Sequence, residues 1–486
     1  MRLYLRERRS NMNRLIKNYA YNLCYQILVM ILPVITTPYV SRVLKAEGVG
    51  EFNYSYAIVS VAVIIAQLGT NMYGQREIAY VQNNKIRRSE VFWSIFVIRI
   101  ISSFIVFPVY ILISATLHSY TVLLISMSVY LVANIFDVSW FFQGMEDFKK
   151  TAIRSMAVKL IGVVLIFLLV KNENDVVLYS VILAGTQLLG NALLCCYIPK
   201  YVRRISIHDI SITPHIRPIL GLFLPTAAVY IYTYVDKIIL GMFSTDAQVG
   251  LYSQPEKIVK LLMTVITSLG AVMLPHIAVA VKENNINRIR KEVLNAVSFV
   301  FCIGAPMVVG AIIIAKTFIP WFLGDGYAKS IYLFQLLSPL ILIIGFASVV
   351  GQAVLIPMKR QRIYTLSIMT GAVINLVVNL ALIPHFEAVG AAIGTIFAEL
   401  TVTAIQCYEV RNCIELKMTS IITNVKNYLI GALIMGGIGG YVSSKLPNSV
   451  ISTFITVILC ILLYSIILIC MKDKLLMDYL KRRKNR

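Results

Sequence analysis

The side chains in this chain best suited to binding an anion are cations placed within long apolar stretches. Arg99, Lys159, Lys237 and Lys260 each interrupt a run of apolar residues, and Arg42 lies near the end of the first run. An ionisable group at membrane depth costs about 2.5–3.5 kcal/mol on insertion scales, so such groups usually face a cavity or a partner. Arginine and lysine bind phosphate oxygens through charge-assisted hydrogen bonds. We therefore predict a cation-lined cavity suited to phosphate-like groups.

Carboxylates at similar depth are candidates for coupling to an ion or for pairing with the cations. They are Asp137, Asp236, Glu256 and Glu399. Glu256 precedes Lys260 by four residues, so the two share a helix face and could neutralise each other. Asp137 is the single carboxylate deep in the first six apolar stretches, and a structural pair between Asp137 and Arg99 is an alternative to a cavity role for the arginine.

The apolar stretches themselves predict an all-α membrane protein. Hydrophobic residues make up 58% of the 486, above the roughly 45–50% of soluble domains, and a spanning helix needs about 20 mostly apolar residues. We predict fourteen spans, at residues 20–43, 51–70, 91–114, 119–142, 152–171, 176–198, 218–241, 251–274, 293–315, 330–352, 364–383, 388–408, 421–442 and 450–471.

The formal charge of +22 follows the predicted loops. Most of the 45 Lys and Arg residues lie in the termini and the even-numbered loops, and we assign Arg154 to this set. The opposite loops hold Arg42, Lys45, Lys171, Lys316, Lys329 and Lys445. This is the positive-inside pattern, with anionic membrane lipids as the contact. It predicts a bacterial cytoplasmic (inner) membrane protein with both termini in the cytoplasm, and it disfavours nucleic-acid binding.

Neither the cysteines nor the histidines predict a catalytic or metal site. Seven of the eight cysteines fall within predicted spans and Cys413 lies just beyond one, as expected of small apolar residues that fill space. The five histidines are scattered over loops and helix ends. We therefore expect no catalytic residue, no metal and no cofactor, and the basic start of the chain predicts a first helix that is not cleaved.

A repeat offset by 200 residues divides the chain into halves. Val49-Gly50 and Val249-Gly250 each follow the first span of a six-span half, and Val389-Gly390 opens span twelve. An even number of spans separates the first two copies, so the halves should be parallel repeats related by an axis along the membrane normal. The predicted parts are a six-helix lobe at 1–198, a cytoplasmic linker at 199–217, a second lobe at 218–410, and two extra helices with a basic tail at 411–486.

Three separated motifs carry a resemblance to a known family. They are PVITTPYVSRVL at 33–44 before Val49-Gly50, LGTNMYGQREIA at 68–79 and DVSWFFQGMEDF at 137–148. In this order they resemble the Wzx-type oligosaccharide flippases of the polysaccharide-biosynthesis family, within the multidrug/oligosaccharidyl-lipid/polysaccharide exporter superfamily. The residues Asp236-Lys237 and Val249-Gly250 are similar to the pattern that this family shows in its second lobe.

The resemblance implies two six-helix lobes around a central cavity, which opens alternately to the two sides. It implies a flippase for undecaprenyl-diphosphate-linked oligosaccharide repeat units, serving capsule, O-antigen or exopolysaccharide assembly. The implied partners are the lipid-linked oligosaccharide, a polysaccharide polymerase and chain-length proteins, with H⁺ or Na⁺ as the candidate coupling ion. On this reading Arg42, Arg99, Lys159, Lys237 and Lys260 bind substrate.

Two other classes of function remain open at this point. A multidrug cation antiporter of the same superfamily would need an acidic cavity, whereas the deep charges here are mainly cationic. A membrane glycan polymerase or acyltransferase would be an enzyme, and such proteins usually show a large outer loop or a histidine within a span. A lipid II flippase is a further alternative, which the three motifs disfavour.

The predicted topology can be tested with reporter fusions. Fusions after Arg204 and after Arg486 should report a cytoplasmic location, and a fusion after Asn448 should report an outer one, because the basic loops stay inside. Paired phosphatase and fluorescent-protein reporters would measure this. An outer signal at Arg486 would contradict the count of fourteen spans.

Overall fold

The computed structural model describes residues 2–473. Side chains are described from Cys24 onward, except at 149–150, 207, 224–225, 228, 231, 269–272 and 418. The predicted basic tail from 474 to 486 lies outside these residues, and the side chains of the arginines before Cys24 are not among those described. Within the described chain the fold is helical and no strand occurs.

The chain divides into two compact units, Met1–Ile238 and Ile239–Arg486. The helices are α1 (Arg2–Gln67), α2 (Thr70–Val81), α3 (Lys85–Thr116), α4 (Thr121–Ile135), α5 (Ser139–Gly144), α6 (Phe148–Leu169), α7 (Val176–Cys195), α8 (Thr213–Phe243), α9 (Asp246–Lys282), α10 (Ile286–Leu323), α11 (Ala328–Leu337), α12 (Leu340–Ala347), α13 (Gln361–Ile414), α14 (Met418–Lys445) and α15 (Val450–Cys470). A π-helical segment, Ser348–Leu355, follows α12.

Eleven helical segments among the described residues are long and apolar enough to cross a membrane. Two of them, Cys24–Val81 with 58 residues and Gln361–Ile414 with 54, are more than twice as long as the roughly 20 residues that one crossing needs. Each contains a residue with non-helical backbone angles, Lys45 (φ 55°, ψ −175°) in the first and Glu387 (φ 50°, ψ −127°) in the second. The chain is thus a multi-pass membrane protein, and each long segment bends sharply at this residue; Cys24–Val81 has a further break between α1 and α2.

These bends fall where the sequence repeat places them. Lys45 lies four residues before Val49 and Glu387 lies two residues before Val389. In the second unit Thr245, with extended backbone angles, is the N-cap of α9 and lies four residues before Val249. The same position relative to Val-Gly therefore ends one helix and begins the next in both halves.

Two apolar clusters lie among the described residues of the first unit. One contains Leu44, Phe52, Met127 and Leu131, with residues of α1, α3, α4, α6 and α7. The other contains Trp140, Phe141 and Phe142, with Phe92 of α3 and Ile219 of α8. The beginning of α8 therefore belongs to the packing of the first unit, although the predicted boundary between lobes lies before it. The proposed division in the linker stays a prediction.

The second unit is built around α10, which packs against α9, α14 and α15. The Trp321 indole of α10 donates a hydrogen bond to Thr453 of α15 (2.8 Å), and Gly439 of α14 lies so close to Cys460 that a Cβ would come within 2.6 Å of its sulfur. The two helices beyond span twelve are thus packed parts of this unit.

Candidate site at the helix breaks of the first unit

A break in the helical backbone separates α1 from α2. Leu68 and Gly69 both have left-handed backbone angles, with φ values of 48° and 75°. Glycine adopts this conformation without steric cost, and a Cβ on Gly69 would lie 3.1 Å from the backbone of Phe223 in α8. The Leu-Gly of the second motif is therefore the point where the chain turns and where α8 approaches closely.

A second break separates α4 from α5 within the predicted fourth span. Phe136, Asp137 and Val138 leave the helix, and the Asp137 carboxylate accepts a hydrogen bond from the backbone N–H of Ser139 (3.0 Å). A carboxylate in this position satisfies a backbone donor at the start of a helix. Asp137 lies one residue before the N-cap, Val138, and its side chain caps α5 by accepting from the N–H of the first helical residue.

The two short helices that follow these breaks pack directly on each other. A Cβ on Gly74 of α2 would lie 2.4 Å from the Trp140 ring of α5, and a Cβ on Gly144 of α5 would lie 2.7 Å from the carbonyl oxygen of Gln75. Trp140 is fully buried. The glycines and the tryptophan of the second and third motifs are therefore explained by close packing between α2 and α5.

Arg99 of α3 joins both breaks. Its side chain is completely buried, and it donates hydrogen bonds to the Thr70 hydroxyl (3.0 Å), to the side-chain oxygen of Asn71 and to the main-chain carbonyl of Asp137. A planar guanidinium suits this arrangement because its donors are fixed in a fork. The hydrogen bond to Asp137 is to its main chain, and the Asp137 carboxylate is within electrostatic range, so Arg99 holds the two chain breaks together.

The other predicted site residues are distributed over both units. In the first unit Arg42 and Lys159 are exposed, whereas Asp236 and Lys237 are buried. In the second, Glu399 is half-buried. Lys260 lies 2.5 Å from Glu256, so the pairing that their spacing allows is present. The structure thus brings together Arg99 with the break at Asp137, and Lys260 with Glu256. Substrate contact by any of these residues stays a prediction.

The linker at 199–217 is attached to α3 by hydrogen bonds that the sequence did not reveal. Arg88 donates to the carbonyl of Tyr201 (2.6 Å), and the Trp93 indole donates to the carbonyl of Arg203 (3.0 Å). The backbone N–H of Arg203 donates to the Ser89 hydroxyl (2.9 Å). Ser89 and Trp93 are four residues apart and therefore lie on one helix face. This spacing could have indicated a face of α3 that binds another segment. A basic, polar sequence near the start of a helix is ordinarily predicted to be exposed to solvent, so these hydrogen bonds were not predicted.

Arg154 is a further cation with contacts that the sequence did not predict. We assigned it to the cytoplasmic side, which stays a prediction, and it lies within α6, which begins at Phe148. Its Nη1 donates to the side-chain oxygen of Asn191 in α7 (3.3 Å), and the Asn191 amide donates to the carbonyl of Ala133 (2.8 Å). The sequence did indicate a helical position for Arg154, because the residue lies inside the predicted fifth span.

The comparisons with known proteins agree with these motifs. Residues 15–281 match the family of polysaccharide biosynthesis proteins. The chain belongs to this family. It is 23% identical over 413 residues to the "Putative O-antigen transporter" of Escherichia coli (strain K12), an alignment that covers 83% of this chain and 98% of that protein.

Solved structures show the same fold at low sequence identity. A lipid II flippase MurJ in an inward closed conformation superposes with a TM-score of 0.72 at 14% identity, covering 94% of this chain and 99% of that chain. A multidrug resistance MATE family transporter of the MOP superfamily, in an inward-facing conformation, superposes with a TM-score of 0.58 at 16% identity. The superposition covers 79% of this chain and 98% of that chain. The chain therefore shares its fold with these two proteins.

Replacing Arg99 should destabilise the first unit. Arg99→Met leaves the Thr70 hydroxyl, the Asn71 amide oxygen and the Asp137 carbonyl without this donor, and an unsatisfied buried polar group costs about 1–3 kcal/mol. Arg99→Lys should cost less but still lower the stability, because an ammonium cannot reproduce the fork. Thermal unfolding of the detergent-purified protein measures the effect.

The matched control is Arg87→Met, because Arg87 lies on the same helix with an exposed side chain. It should unfold at the wild-type temperature. Equal melting of Arg99→Met and the wild type would show that the guanidinium does not hold the breaks together.

Proposed function

We propose that this protein is a flippase that moves undecaprenyl-diphosphate-linked oligosaccharide repeat units from the cytoplasmic to the outer leaflet by alternating access, for assembly of capsule, O-antigen or exopolysaccharide. The observation that carries the proposal is the family membership, together with a relative named as an O-antigen transporter that aligns over 98% of its length. The relatives matched are transporters, so the polymerase and acyltransferase alternatives are set aside.

The distribution of charge supports an anionic substrate. The first unit places Arg154 and the exposed Lys159 in α6, and the nearest deep carboxylate, Asp137, caps α5. A transporter for cationic drugs would need the opposite sign of charge in its binding site. The likeness to a multidrug transporter concerns the fold alone, so the anionic substrate is favoured.

The bends in the long helices support the proposed topology. Dividing Cys24–Val81 at Lys45 and Gln361–Ile414 at Glu387, and counting α8 as the seventh span, would reproduce the fourteen proposed crossings. An even number of crossings leaves both termini on the same side of the membrane, and the positive-inside rule predicts that the side with the basic loops is the cytoplasm. The proposed location is therefore the cytoplasmic (inner) membrane.

Coupling to H⁺ or Na⁺ is part of the proposal, with the carboxylates at membrane depth as the candidate groups. Asp236, Glu256 and Glu399 belong to helices that carry few other acids, and Asp137 is committed to capping α5 by one oxygen. A polysaccharide polymerase and chain-length proteins are the proposed partners, since the flipped unit must be consumed on the outer side.

Complementation of a deletion strain tests this function. Cells that lack the gene should lose surface polysaccharide and accumulate the lipid-linked unit on the cytoplasmic side, and the wild-type gene should reverse both effects. Lys159→Ala and Lys237→Ala should fail to complement at normal protein levels, because each removes a cation proposed to contact the diphosphate. Lys282→Ala, at an exposed position near the end of α9, is the control and should complement.

Normal surface polysaccharide in the deletion strain would refute the flippase proposal. Normal complementation by both lysine variants would instead remove Lys159 and Lys237 from the substrate site and leave the flippase proposal intact.

A further inference from the structure

Arg154 and Arg99 are both cations within the first unit, yet their hydrogen bonding differs. The guanidinium of Arg99 is enclosed by three protein acceptors. Among the described residues, Arg154 has one hydrogen bond, at 3.3 Å to Asn191, and its buried Nε has no hydrogen-bond partner. A buried polar atom without a partner is uncommon, and it calls for a specific explanation. For a permanently charged group, an anion is the partner that would satisfy it.

The surroundings of Arg154 are suited to a phosphate group. The Tyr25 hydroxyl of α1 and the Ser155 side chain are within hydrogen-bonding reach of each other. The Asp137 carboxylate and Tyr25 are within electrostatic range of Arg154, and among the described residues no hydrogen bond joins Asp137 to Arg154. Lys159, about one and a half turns along α6, is also within electrostatic range and is exposed. Hydroxyl donors beside two cations are groups that bind phosphate oxygens.

A glycine in α7 keeps space for the guanidinium. A Cβ on Gly190 would lie 2.9 Å from Nη1 of Arg154 and 3.4 Å from Val158. On the same helix, a Cβ on Gly185 would meet nothing within 4 Å. Gly190→Ala should therefore displace the Arg154 side chain, whereas Gly185→Ala makes the same chemical change without touching it.

Arg154 lies in the first two turns of α6. The helix begins at Phe148, so Arg154 lies about 9 Å along the axis from that end at 1.5 Å per residue. Lipid phosphates lie in the interfacial layer next to the hydrocarbon core. A position near the end of a spanning helix is therefore compatible with contact to a lipid diphosphate.

We propose that Arg154, with Tyr25, Ser155 and Lys159 around it, is a binding site for the diphosphate of a prenyl-diphosphate lipid in the leaflet at the Phe148 end of α6. The inference rests on the proposed function and adds to it the residue that first contacts the substrate. The chemistry recognised is a diphosphate ester on an apolar chain, as distinct from the phosphodiester of bulk phospholipid.

Native mass spectrometry of the full-length protein in detergent tests the site, with farnesyl diphosphate, farnesyl monophosphate and phosphatidylglycerol as probes. Wild type should prefer the diphosphate. Arg154→Gln should weaken its binding by about 10- to 100-fold, because a hydrogen bond to a charged group is lost, and Arg154→Lys should weaken it less. Gly190→Ala should weaken it with the arginine still present, and Gly185→Ala should bind as wild type.

Equal diphosphate binding by Arg154→Gln and wild type would overturn the inference and leave the flippase proposal standing, provided the wild type still complements the deletion strain. Binding of phosphatidylglycerol as tightly as the diphosphate, lost in the same variant, would also overturn it by assigning the site to bulk lipid. Failure of the wild type both to bind the diphosphate and to complement would remove the function and the inference together. Arg154→Lys and Gly190→Ala retain a cation, so they decide the matter if Arg154→Gln folds poorly.

Discussion

The first unit depends on hydrogen bonds to the backbone groups that broken helices leave free in a region with little water. Within a bilayer every backbone N–H and C=O must find a partner in the protein, so a chain break at that depth is tolerated only where other groups supply the missing bonds. Here the breaks at Gly69 and Asp137 face each other, and one guanidinium reaches across both. Arg99 supplies a donor to a main-chain carbonyl that the broken helix leaves free.

This arrangement separates two roles that a charged residue can have in a membrane protein. Arg99 has neutral acceptors on the α2 side and a carbonyl on the other, and it is fully enclosed. Arg154 retains a buried donor without a partner. The difference lies in what surrounds the guanidinium, since both residues carry the same charge on apolar helices.

Much of the fold could be predicted from the sequence, because hydrophobic length and loop charge are one-dimensional signals. The apolar stretches correspond to helices, and the repeat at Val49-Gly50 marked where helices end. The predicted second span ends at residue 70, beside the break at Leu68–Gly69. The break at Phe136–Val138 lies inside the predicted fourth span and was not predicted, because most residues around it are apolar. The resemblance to the flippases placed these residues in motifs but did not show that the motifs pack on each other.

The candidate site was harder to predict, because the partners of a charge are set by tertiary packing. The Glu256–Lys260 pair followed from helical spacing. The partners of Arg99 come from α2 and from the break before α5, and no sequence spacing relates them. Arg154 was assigned by the character of its loop rather than by its position within a predicted span, and the docking of the linker on α3 involves backbone atoms that the sequence does not distinguish.

The packing of Ile219 with Trp140 and Phe92 also bears on how the protein is made. A ribosome completes the sixth span well before it reaches α8, yet the apolar cluster of the first unit includes a residue from the start of that helix. The linker must also be in place along α3 before Ser89 and Trp93 find their partners. During synthesis the first unit therefore stays open at this end until the seventh span begins to emerge, and a chain truncated after Cys195 would expose an incomplete core to lipid and chaperones.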